Sequence, residues 1–413
     1  MLVAHPIVRW VGKMEALMST QAVAARGLEI GKTLERPKRL LSVDLLRGLT
    51  IGFMIMVNDN GSDGAYWFMK HAEWNGFTPT DLVFPTFLLL VGISTVLSTA
   101  SRLAAGASKI ALWGHVVRRA VILFLLGMVV NNFPFFHPAT LRFYGVLPRI
   151  ALCYLIVGSF YIFFPGWKSK VVALVGVLVG YWILMKFVPV PGFGMPGRDV
   201  PLLDPDKNLA AWLDRQVFSA NHLYERTRDP EGLLSTLPAF GTMLIGILAG
   251  LWLRSSRTVA EKARGVAIAA VTCLVLGGLW NFDFPINKKL WTSSYVLFAA
   301  GWSLLLLAIF LWIGDMRTSS KPDTGKRGFF ATILLVFGTN AIFAYELSEV
   351  GASSLGLWHP AKGMGTQDWA YHGILHAIPD VALASFLFSL AYAGACWLVT
   401  YLVLYRNKIF LKI

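Results

Sequence analysis

An all-α integral-membrane bundle of about ten transmembrane helices is the fold class this chain predicts, and three observations lead to it. Of its 413 residues, 56% are hydrophobic and 15% charged, with a mean hydropathy of +0.59; a soluble domain carries charge on about a quarter of its residues. Apolar runs of roughly 20 residues, enough to cross a hydrocarbon core about 30 Å thick, recur along the chain. The Lys and Arg residues cluster between alternate runs, as they do in cytoplasmic loops of membrane proteins. Length alone would suggest two or three soluble domains, but the apolar runs override that prior.

Residues 1–37 carry Arg9, Lys13, Arg26, Lys32 and Arg36 without the apolar core of a signal peptide, and read as a basic cytoplasmic segment. A membrane domain is expected over 38–405, followed by a short basic cytoplasmic tail at 406–413. The first span, 42–59, opens around Asp44 and Arg47 and ends in Asn58, and the second, 80–101, opens with Asp81. The third, 111–131, carries Arg118 and Arg119, and the fourth, 145–164, begins with Leu147-Pro148-Arg149. A fifth at 170–188 leads into Pro189. Asp229-Pro230-Glu231-Gly232 precedes the sixth, 234–253, and reads as an ordinary helix start, with proline first and acid in the first turn. Spans at 264–281 and 293–314 flank a polar patch of Asn281, Asp283, Asn287, Lys288 and Trp291, and spans at 329–349 and 380–404 complete the bundle.

Orientation follows from charge. Arg102, Lys109, Lys168, Arg254, Lys262, Arg317, Lys326 and Arg406 all fall on one face, which the positive-inside bias makes cytoplasmic. Both termini are then inside, and the loop holding His71 is outside. The same face receives two long segments, 189–233 and 350–379, the latter with Trp358, His359, Trp369, His372 and His376. A net charge of +14 would suggest nucleic acid in a soluble chain; spread over membrane loops, it points to lipids and to no nucleic acid. Cys153, Cys273 and Cys396 lie inside apolar runs, with no spacing for a metal or a disulfide framework.

His71 is the foremost chemical candidate. It sits in Tyr66-Trp67-Phe68-Met69-Lys70-His71-Ala72-Glu73-Trp74-Asn75-Gly76, between two apolar runs. Imidazole is the side chain whose unperturbed pKa lies nearest neutrality, so it can take and return a proton at working pH. Asp81 can orient the ring if both face one pocket, while Asn58 and Asn75 are nearby amides able to stabilise an oxyanion. Each also has a plainer reading: an interfacial histidine bonded to water, a helix cap at Asn58, a turn at Asn75-Gly76. His372 and His376 share a helical face, but the glutamate of a zinc motif is missing from His372-Gly373-Ile374-Leu375-His376. No metal is expected. Arg149 begins a span on the outer side, where basic residues are scarce, and invites a buried partner.

Several stretches together resemble one family. Arg39-Leu40-Leu41-Ser42-Val43-Asp44-Leu45-Leu46-Arg47-Gly48, Val57-Asn58, Lys70-His71-Ala72-Glu73-Trp74-Asn75-Gly76 and Asp81-Leu82-Val83-Phe84-Pro85 come first. Leu147-Pro148-Arg149, Asp229-Pro230-Glu231-Gly232, Asn287-Lys288-Lys289-Leu290-Trp291 and Gly338-Thr339-Asn340-Ala341-Ile342 follow in order. The set resembles the transmembrane acetyltransferases typified by lysosomal heparan-α-glucosaminide N-acetyltransferase and its bacterial relatives. The resemblance implies transfer of an acetyl group from acetyl-CoA to the amine of a glucosamine-type sugar or glucosamine-terminated glycan. It implies His71 as base or acetyl carrier, with Asp81 and Asn58 beside it. Donor phosphates would fall to Arg47, Arg118, Arg119 and Arg149, and the sugar to Trp74, Asn75, Glu231, Asn287 and Lys288. A bacterial inner membrane is the implied location, and a homodimer is compatible with it.

Two other functions fit the composition: an amino-sugar permease with His71 and Asp81 as a proton relay, and O-acyl transfer to an envelope polysaccharide. Turnover of acetyl-CoA by purified protein separates both transferases from the permease.

Overall fold

The computed structural model describes residues 40–316, 328–360 and 363–411. The expected basic segment 1–37, the loop residues Arg317, Lys321, Lys326 and Arg327, and Lys412 lie outside the described residues. The first four spans are helices α1 (Leu41–Asn58), α2 (Val83–Ala104), α3 (Lys109–Asn132) and α4 (Val146–Phe163). Next come α5 (Trp167–Phe187), a short outer helix α6 (Leu209–Val217), α7 (Thr236–Leu253), α8 (Val259–Trp280) and α9 (Ser293–Phe310). α10 (Phe329–Thr339), α11 (Ala341–Leu357), α12 (Thr366–Ala377) and α13 (Val381–Thr400) complete the chain. Among the described residues nine helices are long and apolar enough to cross a membrane, and the α10–α11 pair makes up to ten.

The bundle has an inner and an outer ring. In their most apolar stretches α2, α7 and α1 are 72%, 67% and 61% buried, whereas α8, α3 and α5 are 17%, 22% and 22% buried and present Leu, Val and Ile outward. Apolar side chains gain nothing by leaving lipid for other apolar side chains, so close backbone approach must hold such helices together. Glycine supplies it. A Cβ on Gly92 of α2 would strike the Met243 carbonyl of α7, and one on Gly246 of α7 would strike the Leu89 carbonyl of α2. Gly48 of α1 and Gly338 of α10 interlock in the same way, against Leu334 and Asp44. The N-terminus of α1 is closed by Asp315, whose carboxylate accepts from the Leu41 and Ser42 amides at 3.1 Å each. An acid at a helix start satisfies otherwise orphaned N–H groups.

Three sequence expectations change. The single span at 329–349 is two helices bent by 78° at Asn340. The break is satisfied within the protein: Arg47 Nη1 donates to the Gly338 carbonyl at 3.1 Å, and Asn340 Oδ1 accepts from the Leu411 amide at 3.1 Å. Irregular backbone at membrane depth persists only with such partners. The segment 350–379 is largely helical, because Tyr371, Ile374 and Leu375 fall in helical register and pack on Ala384 and Phe388 of α13. The expected start at 264 moves back to Val259, since Thr258 and Glu261 form a reciprocal capping box that draws the charged turn into α8.

The long segment 189–233 is an ordered cover. Asn208 caps α6, its Oδ1 accepting from the Ala211 amide at 2.9 Å. Leu203 and Ala210 join Tyr181, Met185, Phe284 and Leu290 in a small separate core at the outer ends of α5 and the α8–α9 loop.

The glycine crossing predicts a sharp contrast. Gly92→Ala or Gly246→Ala forces backbone apart and should cost about 1–3 kcal/mol, the range for overpacking. Gly176→Ala on α5, with nothing within 4 Å of the added carbon, should be neutral. Thermal melting in detergent checks this: the first two lower the midpoint and the third does not.

Candidate active site

The site begins with a carboxylate the fold cannot leave alone. Asp81 stands at the start of the second span, 1% exposed, where an unpaired charge would be costly. Its neighbours satisfy it. Pro79 starts the turn Pro79–Leu82 ahead of α2, and Thr78 and Asp81 form a capping box across it. Asp81 Oδ2 accepts from the amides of Ala72 at 3.1 Å and Thr78 at 3.0 Å, leaving Oδ1 for His71 Nδ1 at 2.7 Å. The Tyr295 hydroxyl donates to the Asp81 carbonyl at 2.6 Å, and Thr80 Oγ1 to the Phe68 carbonyl at 2.8 Å. The loop from Phe68 to Asp81 is thereby wrapped around one carboxyl group.

His71 thus presents one nitrogen inward and one outward. With Asp81 ionised, Nδ1 carries the hydrogen and Nε2 keeps its lone pair, a tautomer set by the partner. The side chain is 46% exposed, against 1% for that of Asp81. Lys288, from the α8–α9 loop, brings its Nζ to 3.1 Å from Nε2 and 3.3 Å from Nδ1. Lost hydration and the Lys288 charge hold the imidazole below its ordinary pKa, against the opposing pull of Asp81 and Glu231. Lys288 is itself lowered, chiefly by burial and then by Lys289 and Arg149, with Glu231 and Asp81 opposing. The pair therefore favours a neutral ring.

Two arginines build the adjoining wall. Arg142 Nε and Nη2 clasp the Asp229 carboxylate at 2.9 and 2.7 Å, Nη2 reaches Glu231 Oε2 at 2.8 Å, and the guanidinium lies 4.6 Å from the Tyr224 ring. Burial favours neutral Arg142, but Asp229 and Glu231 outweigh it and hold the group firmly charged. Asp229-Pro230-Glu231-Gly232 is accordingly a turn and not the expected helix start; α7 begins at Thr236, and the acids serve Arg142 instead. Arg149 is 1% exposed and donates from Nη2 to Ser235 Oγ at 2.5 Å and to the Gly232 carbonyl at 3.2 Å. Its guanidinium stands 5.1 Å from the Trp291 ring, and its Nε and Nη1 have no partner among the described residues.

Of the residues singled out by sequence, His71, Asp81 and Lys288 come together directly, with the charges of Glu231 and Arg149 close by. Asn75 and Asn287 are a strut: Asn287, fully buried, donates to Asn75 Oδ1 at 3.1 Å and accepts from the Leu290 amide at 2.9 Å. Trp74 is anchored to the Leu203 carbonyl at 2.8 Å, with Arg228 and Lys289 at 5.1 and 5.9 Å from its ring. Asn58 bonds not to His71 but to Glu349 of α11, at 2.6 Å. Beside it Asp59 is pushed up to about 7, by burial and then by the Glu349 charge.

The four arginines expected to hold phosphates do not form one group. Arg149 is at the His71 end, whereas Arg47 is engaged by Asp44 at 2.9 Å, Ser94 at 2.8 Å and the Gly338 carbonyl at 3.1 Å. Arg118 is exposed, and Arg119 lies 4.9 Å from the Tyr154 ring. Among the described residues no cluster of three or more His, Cys, Asp or Glu side chains is placed to hold a metal ion. Sequence reasoning missed Arg142, whose only signal was a basic residue in an outer loop.

Residues 39–280 match the family described as heparan-alpha-glucosaminide N-acetyltransferase, catalytic. The chain is 28% identical to heparan-alpha-glucosaminide N-acetyltransferase of Homo sapiens, and 29% to that of Mus musculus, over 91% of its own length and 60% of theirs. It therefore spans about 60% of the length of these curated relatives. His71, Asp81, Arg142, Arg149 and Glu231 fall inside the matched family region, and Lys288 lies just beyond it.

The electrostatics of His71 can be read without turnover. Diethyl pyrocarbonate modifies neutral imidazole, and peptide mapping resolves His71 from the other histidines. Its reactivity should rise with a midpoint below that of free histidine. Removing a repelling charge with Lys288→Met should move the midpoint up, and neutralising the carboxylate with Asp81→Asn should move it down. An unchanged midpoint in Lys288→Met would dissolve the pairing.

Proposed function

The chain belongs to the heparan-α-glucosaminide N-acetyltransferase catalytic family, and we propose that it transfers an acetyl group from acetyl-CoA to the amine of a glucosamine-type sugar. The observation that carries this reading is the 2.7 Å bond that His71 Nδ1 donates to Asp81, which leaves the Nε2 lone pair facing Lys288 Nζ at 3.1 Å, the position a substrate amine would take to give up its proton. A protonated amine cannot attack a thioester, so the first task is removal of its proton. Neutral Nε2 takes that proton while Asp81 stabilises the imidazolium that forms. The amine nitrogen attacks the thioester carbon, and the tetrahedral oxyanion forms beside the Lys288 ammonium, a stabilising charge of the kind that dominates such steps. The carbon–sulfur bond breaks, the imidazolium gives its proton to the leaving thiolate, and the second proton of the former ammonium leaves the nitrogen for solvent, so one proton is released per turnover. An acetyl-imidazole route uses the same nitrogen as nucleophile, with the amine attacking second.

The donor reaches the ring from the bundle interior. A small apolar pocket of about 20 Å³, lined among others by Met54, Phe84, Phe87, Leu147, Ile150 and Tyr345, lies between α1, α2, α4 and α11 and would have to widen to admit the arm. Phe84 in its wall packs at 4.8 Å on Trp291, and Trp291 in turn on Arg149. The loop charges favour cytoplasmic termini and an external His71; on that orientation acetyl-CoA would enter from the cytoplasmic side and the sugar would meet Glu231, Lys288 and His71 from outside.

Mass spectrometry of products from purified protein, acetyl-CoA and a panel of amino sugars tests the assignment. Acetylated amine is the expected product. His71→Ala should lower turnover by about 10²–10⁴-fold, the usual cost of a positioned acid-base group, and Asp81→Asn should lower it strongly but less. Near-normal turnover in a folded His71→Ala protein would remove the histidine from the mechanism.

A further inference from the structure

At the end of the bundle away from His71, the ends of α2, α3, α4, α5 and α7 enclose a crevice of about 360 Å³. One wall is apolar, with Leu103, Leu112, Ile162, Trp167 and Leu251. The other is cationic. Lys109 enters from the first turn of α3, and Lys170, only 1% exposed, from the first turn of α5. The Lys170 ammonium is 5.1 Å from the Phe160 ring and 5.5 Å from that of Tyr161, and donates to the Phe164 carbonyl and, at 3.3 Å, to Ser169 Oγ. The charge of Arg254 reaches the Tyr161 hydroxyl, which also lines the crevice. Among the described residues no ion pair involves Lys109, Lys170 or Arg254.

The start of α5 adds to this. Gly166, its N-cap, has no side chain to cap the helix, and both Gly166 and Trp167 line the crevice. The positive end of a 21-residue helix therefore opens into a space that already holds two lysines. A buried ammonium without a counter-charge is costly unless an anion comes to it. We propose that this crevice seats an anionic phospholipid, its phosphate on Lys109, Lys170 and the α5 N-terminus and an acyl chain against Leu112, Ile162 and Leu251. The mixed lining selects an amphiphile over a free anion. Exposed Phe163, Phe164 and Trp167 beside the crevice place it at the level of the headgroups.

Native mass spectrometry of the full chain, released from membranes containing phosphatidylglycerol and phosphatidylcholine, tests the proposal. Wild-type protein should retain phosphatidylglycerol selectively. Lys109→Gln, at an exposed position, should weaken retention about fivefold, in line with one basic side chain at a membrane surface, and Lys170→Met should add a similar factor. Leu112→Trp should fill the crevice and abolish retention with every charge kept, so a charge effect elsewhere cannot imitate it. Lys168→Gln, in the same basic loop but outside the lining, should change nothing. Equal retention in all variants would overturn the proposal, as would displacement of the lipid by millimolar inorganic phosphate or by CoA, which would assign the crevice to a soluble anion. None of these readouts depends on acetyl transfer.

Discussion

One buried carboxylate organises the outer end of this protein. Asp81 is placed at membrane level by the helix it starts, and its acceptor sites are filled by the Ala72 and Thr78 amides and by His71. Satisfying it folds the loop back on itself, and the loop in turn carries Asn75 onto Asn287 and the Gly76 amide onto the Ile286 carbonyl at 2.8 Å. That contact draws the α8–α9 loop in and delivers Lys288 to the imidazole. The reactive-looking geometry is a consequence of avoiding an unpaired buried charge.

The same logic distributes the basic residues. Within the membrane part of the bundle, Arg47 serves a broken helix and Arg149 stacks on Trp291 while bonding the turn before α7. Arg149 keeps two nitrogens, Nε and Nη1, without a hydrogen-bond partner among the described residues, near the charges of Lys288 and Glu231. The ordered cover of 189–233 contributes Asp229 and Glu231 to this wall.

The bundle was legible from sequence because lipid enforces length and apolarity on every span, and the His71–Asp81 pair because both ends of a short polar loop carried chemistry-bearing side chains. What could not be read is long-range. Asn58 and Glu349 are 291 positions apart, as are Arg47 and Gly338, and no local pattern announces either bond. The bend at Asn340 was hidden because Phe329–Thr339 and the first turn of Ala341–Leu357 read as one apolar run interrupted by a single strongly polar residue. Arg142 went unnoticed because its role exists only once Asp229 and Glu231 have turned toward it. Asn287 looked like a sugar contact and is a buried strut, a distinction only packing makes.

The central claim is that the acetyl group passes through the bundle to His71 while the sugar stays outside. Proteoliposomes of uniform orientation, loaded with labelled acetyl-CoA and supplied with glucosamine only on the face that bears His71, test it most directly. The account predicts labelled N-acetylglucosamine in the external medium, with none in the lumen. Product that forms only when donor and acceptor share one compartment would contradict it.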